Sequence, residues 1–140
     1  MTEYIDDYDN GGQQTKFYPK TDISYSPAVV GSASVNFIPA KKIEINLISK
    51  YVSRQYLDNT SQHSRSLPDY YLQDARVSYS SENSNIKSIR IFVQAMNIFS
   101  KKYQPNGYSF SYINGGELTT VNYYLPMAPA NWIVGLNIRL

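Results

Sequence analysis

Apolar and polar residues alternate along most of this chain. From Asp22 to Ile38 the odd positions Ile23, Tyr25, Pro27, Val29, Gly31, Ala33, Val35 and Phe37 oppose Asp22, Ser24, Ser26, Ser32, Ser34 and Asn36. A period of two places successive side chains on opposite faces, as in a half-buried strand. Pro27 marks a bulge or an end of regular pairing, because it offers no N–H to a ladder. After a turn at 39–42, Ile43, Ile45, Leu47, Ser49 and Tyr51 oppose Glu44, Asn46, Lys50 and Arg54. A third run, 70–80, sets Tyr71, Gln73, Ala75, Val77 and Tyr79 against Asp74, Arg76, Ser78 and Ser80. A fourth, 89–99, sets Ile89, Ile91, Val93 and Ala95 against Arg90 and Gln94, with Phe92 and Met96 blurring the polar side. The last, 131–140, sets Trp132, Val134, Leu136, Ile138 and Leu140 against Asn131, Asn137 and Arg139. No stretch holds a helical period.

The connections change the picture from a sheet to a barrel wall. Those at 39–42 and 81–88 are short, whereas 57–69 and 100–130 are long and rich in Asn, Ser, Gly, Tyr and Pro. Strict alternation of tight turns and extended loops belongs to outer-membrane barrels. Within the second long link, Tyr108–Tyr112 and Leu118–Tyr124 flank Asn114-Gly115-Gly116, which predicts a hairpin. The alternation also assigns direction. Aromatic residues of the apolar face then fall at two levels, with Tyr25, Tyr51, Tyr71, Phe99 and Trp132 at the outer ends and Phe37 and Tyr79 at the inner. These are expected interface girdles. From Tyr71 to Tyr79 is about 26 Å along a strand, or about 20 Å of height at a tilt of roughly 40°.

Composition agrees with many half-buried strand positions: the 140 residues include 14 Tyr, 5 Phe and one Trp, and only 17% are charged. A net charge of +2 argues against a nucleic-acid partner. Cysteine is absent, which excludes a disulfide framework and thiolate metal sites. No apolar run reaches the roughly 20 residues of a spanning helix, and MTEYIDDYDN lacks the regions of a signal peptide. A membrane role must therefore rest on strands, with an export signal expected upstream.

Three segments also carry a family resemblance: LISKYVSRQYLDNTS (47–61), Asn97-Ile98-Phe99 followed by Tyr103, and YYLPMAPANWIVGLNIRL (123–140). In this order they resemble the C-terminal barrel signatures of TonB-dependent outer-membrane receptors. The resemblance covers about 21–140 and implies an all-β fold, an antiparallel transmembrane β-barrel fragment of about five strands plus an external hairpin. Residues 1–21 are then an external loop and 22–140 the last strands. Family members also have a plug domain, a TonB-contacting box and about 22 strands, so the plug and remaining strands are expected elsewhere. The implied function is energised import of a scarce large solute, whether siderophore, haem, vitamin or glycan, across the cell outer membrane. The implied partners are outer-membrane lipid, the barrel-assembly machinery, the TonB complex through the plug, and the imported solute. Trp132, Gly135, Leu136, Ile138 and Leu140 resemble the family's assembly signal, with Leu140 in place of the usual terminal Phe. Alone, the chain is expected to transport nothing. A soluble β-sandwich or barrel that binds a ligand and a pore without a plug are the alternative architectures.

Candidate chemistry is sparse. Asp6, Asp7, Asp9 and Asn10 before Gly11 lack the spacing and closing Glu of a calcium loop, so a solvated loop is the expectation and no metal or cofactor is assigned. His63 has Ser61, Ser64 and Asp69 nearby, but all lie in one loop without a rigid frame, so no catalytic residue and no enzyme activity are assigned. Lys50, Arg54, Arg76, Arg90 and Arg139 point to the polar face, the lumen of an intact barrel. The ligand candidates are the external aromatics Tyr108, Phe110, Tyr112, Tyr123 and Tyr124, whose flat rings stack on aromatic or sugar-like solutes or on one another.

Overall fold

The computed structural model describes residues 1–83 and 86–139. The strands are β1 (Thr2–Asp7), β2 (Gly12–Phe17), β3 (Val30–Ala40), β4 (Ile43–Val52), β5 (Gln55–Tyr56), β6 (Ser66–Leu67), β7 (Tyr70–Asn83), β8 (Ile86–Met96), β9 (Asn106–Asn114), β10 (Glu117–Leu125) and β11 (Asn131–Arg139), with one short 3-10 turn at His63–Arg65. The all-β expectation is met, with antiparallel pairing dominant. Among the described residues no closed barrel forms. The chain divides into two compact units, one of Met1–Val29, Ser53–Asp69 and Tyr103–Met127, the other of Val30–Val52, Tyr70–Lys102 and Ala128–Leu140.

The second unit is a five-stranded sheet in the order β11-β8-β7-β4-β3, entirely antiparallel. Register decides its character. Phe37 pairs with Ile45, Ile45 with Val77, Val77 with Val93 and Val93 with Val134, a row of apolar residues across all five strands. Residues opposite one another in a ladder share a face, so every second row lies on this side. Val35, Leu47, Ala75, Ala95 and Trp132 form one such row, and Ile43, Tyr79, Ile91 and Leu136 another. The other face carries Asn36, Asn46, Arg76 and Gln94 in one row.

On that polar face sits the aromatic residue that broke the alternation. Phe92 pairs with Gly135, and a Cβ built on Gly135 would lie 2.3 Å from the Phe92 ring. The Arg76 guanidinium covers the ring at 3.9 Å from its centroid. Gly135 is thus the floor on which Phe92 lies and Arg76 the lid, a cross-strand glycine–aromatic pairing closed by a cation–π contact.

The first unit is a four-stranded sheet in the order β10-β9-β1-β2, in which β1 and β9 run parallel. Segment 53–69 lies against one face of it. Leu67 is 0% and Arg65 2% exposed, with Ile5 and Leu57 beside them in the small core. The Arg65 Nη1 donates to Glu3 and, at 2.9 Å, to Asp58 Oδ2, while Nη2 donates to Ser111 Oγ at 2.6 Å and Thr120 Oγ1 at 3.2 Å. Glu3 is also held by the Tyr18 hydroxyl at 2.8 Å. Burial acts to lower the Arg65 pKa, but its bonds to Glu3 and Asp58 outweigh it and hold the guanidinium firmly charged.

Three boundaries differ from the expectation. Residues 1–21 contain the β1–β2 hairpin, which the sequence conceals because the β2 residues Gln13, Gln14, Thr15 and Lys16 are polar on both faces. Asp7 closes its turn, accepting from the N–H groups of Asp9 and Asn10 and from the side chains of Asn10 and Gln14. Bonds from the Asn10 and Gln14 side chains hold its carboxyl below the usual range. Second, the long strand begins at Val30 rather than at Asp22, so Ile23, Tyr25, Pro27 and Val29 leave the apolar face. Tyr25 has φ +55°, incompatible with a strand, and its hydroxyl donates to the Gly107 carbonyl. Third, β7 and β8 extend toward each other until Asn83 pairs with Ile86, so the link is tighter than 81–88.

Two substitutions test these packing arguments. Arg65→Met leaves Glu3 and Asp58 without their cation and is expected to cost about 3 kcal/mol. The loss should appear as faster hydrogen exchange in β1 and β9, with β7 and β8 unchanged. Gly135→Val drives a side chain into the Phe92 ring and should cost about 1–3 kcal/mol. In the Phe92→Ala background the same change should cost much less, so additive effects in urea unfolding would contradict the packing account.

Candidate functional site

Two surfaces stand out, one in each unit. In the five-stranded sheet the apolar face remains open to its surroundings: Trp132 is 70%, Val134 71%, Leu136 61% and Phe37 59% exposed. A contiguous exposed patch of this kind marks a surface that meets a protein partner, a membrane or a ligand. One end of the sheet carries the connection at 41–42 and the paired strand ends Asn83 and Ile86. At the other end the chain leaves for 53–69 and 97–130.

That second end is finished in rings. Tyr51 pairs with Tyr71, and Tyr71 stacks on Phe99 at 6.5 Å and 28°. The Tyr71 hydroxyl donates to Gln73 Oε1 at 2.7 Å, and Gln73 also accepts from Ser49 Oγ at 2.6 Å. The polar positions within the apolar face are thereby paired with each other. Trp132 lies in the row of Leu47 and Ala75 rather than that of Tyr51 and Tyr71. Tyr25, expected in this girdle, belongs to the first unit instead.

Asn97 explains the Asn-Ile-Phe motif. Its φ of +51° is a conformation that Asn tolerates better than most residues, and it turns the chain sharply out of β8. Its side chain accepts from Lys101 N at 2.9 Å and donates to the carbonyls of Lys101 at 2.9 Å and Ala128 at 3.3 Å. Its own N–H donates to Asp74 Oδ1 at 2.8 Å. One side chain thus joins the exit of β8 to the approach to β11.

The expected β9–β10 hairpin forms, with Asn114 opposite Glu117 and Gly115 and Gly116 at φ +65° and +76°. Asp9 accepts from both glycine N–H groups, at 2.9 and 2.7 Å. On one face of this sheet stand Tyr108, Phe110, Tyr112 and Tyr123. Tyr108 and Tyr123 stack at 4.9 Å and 16°, Phe110 and Tyr123 at 6.2 Å and 10°, and Phe110 and Tyr112 at 6.1 Å and 28°. Tyr8 extends the ladder at 5.7 Å from Tyr112. The rings stack on one another, while Tyr108, Phe110 and Tyr123 remain exposed. Tyr124 is separated from this group: it pairs with Gly107 and points to the opposite face.

The other sequence candidates have local partners. The two ring nitrogens of His63 lie 2.9 and 3.1 Å from Arg54 Nη1, and the ring meets Tyr56 edge-on at 6.4 Å. Arg54 and Tyr56 also border a cleft of about 550 Å³ with Asp22, Ile23, Ser26 and Ser53, all within the first unit. The sequence did not single out this cleft, because its walls come from two separated segments. On the polar face of the five-stranded sheet, Arg90 donates to Ser80 Oγ at 3.0 Å and shares a groove with Arg139 and Glu82. Among the described residues no group of three or more His, Cys, Asp or Glu is placed to hold a metal ion. Of the expected assembly signal, Trp132, Gly135, Leu136 and Ile138 lie on β11, and Leu140 lies outside the described residues. Compared with known proteins, the chain matches no protein-family model and no curated sequence.

Proposed function

We propose that the five-stranded sheet is an arc of the wall of an outer-membrane β-barrel, and that the chain is the C-terminal part of a TonB-dependent receptor. The observation that carries the reading is the register-aligned apolar face. From the row of Tyr51 and Tyr71 to that of Ser81, Ile89 and Ile138 is about 33 Å along a strand at 3.3 Å per residue. At a tilt of about 40° this is about 25 Å of height, the apolar band of such barrels. The opposite face suits a wet lumen, with Arg76, Arg90 and Arg139 beside Asn, Gln and Ser. The two edge strands, β3 and β11, have one neighbour each within the described residues, as an excised arc would.

Support for this family, as against outer-membrane barrels in general, comes from its three resembling motifs, each of which has a structural job here. Segment 47–61 supplies Tyr51 and the buried Gln55, Leu57 and Thr60. Asn97 ties two strand ends, and Gly135 seats Phe92. In this reading the chain contributes wall, outward-facing loops and the assembly signal, while substrate gating and TonB coupling reside in the plug. The imported solute is large and scarce, and the aromatic ladder is the part of this chain closest in chemistry to a solute contact.

Trp132 is the sole tryptophan, so it reports on this face without labelling. With vesicles whose acyl chains carry bromine, its emission should shift to the blue and be quenched. Arg at Val77 or Ile91 should weaken insertion by about 2–4 kcal/mol, whereas Arg at Ser34, on the polar face, should not. Trp132 that stays unquenched, in a monomer melting cooperatively in plain buffer, would instead favour the soluble ligand-binding fold.

A further inference from the structure

Register also fixes what borders the apolar face at its tight-turn end. The last apolar row there is Ser81, Ile89 and Ile138. Two positions before Ile89 on the same strand stands Lys87, which is exposed and lies where the β7–β8 register shifts beyond Ser81. Lys41 and Lys42 occupy the connection between β3 and β4, and both are exposed. The Lys42 carbonyl accepts from Ser80 N at 2.8 Å, which fixes this turn beside β7. The nearby carboxylates face elsewhere. Glu44 accepts from Asn36 at 3.0 Å and Asn46 at 3.2 Å, and Glu82 lines the polar-face groove with Arg90 and Arg139. Among the described residues, Lys41, Lys42 and Lys87 thus stand exposed at this end of the sheet, while Glu44 and Glu82 lie on the polar side.

A lysine at the edge of an apolar surface lays its alkyl stem along that surface and lifts its ammonium into the polar layer. Three such groups at the tight-turn end of the sheet suit a layer of phosphodiester charge. We infer that Lys41, Lys42 and Lys87 form a headgroup-binding margin for anionic phospholipid of the leaflet next to the tight turns. The inference rests on the membrane-wall reading above and adds the lipid class that the wall selects.

Partitioning of the full chain, followed by Trp132 emission, tests it in vesicles of phosphatidylcholine alone or mixed with phosphatidylglycerol. The unaltered chain should bind the anionic vesicles more tightly. Each of Lys41→Ser, Lys42→Ser and Lys87→Ser should remove about fivefold of that gain at low salt. About 1 M salt, with a Debye length of roughly 3 Å, should erase it. Partition into phosphatidylcholine should stay unchanged in the variants, which separates lost headgroup contact from lost folding. The charge-matched pair Lys16→Ser/Lys20→Ser in the first unit should leave the gain intact. Equal partition into both vesicles, or an equal loss in the matched pair, overturns the margin while leaving the wall standing. Failure of brominated chains to quench Trp132 in either vesicle removes the wall and the margin together.

Discussion

The five-stranded sheet depends on the pairing of backbone N–H and C=O groups in a register that is regular over its middle and shifts between Phe37 and Ala40 and between Ser81 and Asn83. An unpaired amide inside hydrocarbon costs several kcal/mol, so a sheet crossing a membrane must hold its ladder without gaps. Because the side-chain period is two, the same ladder aligns the faces of all its strands at once. A slip of one residue between β7 and β8 would carry Val93 and Ile91 to the polar side and bring Arg90 and Gln94 to the apolar one. Register is therefore both the scaffold of the sheet and what keeps its apolar face distinct from its polar one. The Phe92–Gly135 joint fits this role, since a ring that can lie flat only over a glycine recognises one alignment of β8 and β11.

The first unit relies on a different device. Its hydrophobic core is small, and a buried guanidinium joins three stretches of chain through Glu3, Asp58, Ser111 and Thr120. A paired buried charge of this type gives little net stability over a well-packed apolar substitute, but it tolerates few alternative arrangements. Such specificity suits a unit gathered from distant segments, where apolar area alone would not choose among several ways of laying 53–69 on the sheet.

Much of the second unit was legible in the sequence, because alternation survives wherever one face is apolar. It misled at 22–29, where the pattern runs on through Tyr25 although that residue has left the strand conformation. It was silent at 12–17, where a polar strand has no apolar stripe to display. The Arg65 cluster was hidden for another reason: its partners are far apart in sequence, and no local spacing announces them. Tyr124 could have been separated from Tyr123 beforehand, since neighbours on a strand must face opposite ways. The stacking within the aromatic ladder was beyond the sequence, because it depends on the β9–β10 register and on the approach of Tyr8 from another hairpin.

The parallel contact of β1 with β9 joins Asp6 to Tyr112 and Asp7 to Ile113. Its two halves are separated by roughly a hundred residues of chain. Strands β3 and β4 pair across a short loop, whereas this contact carries the larger closure entropy of a long one. Strand β1 consequently gains its second neighbour only once β9 has been made. Until then it presents an unsatisfied edge, open to pairing with another strand.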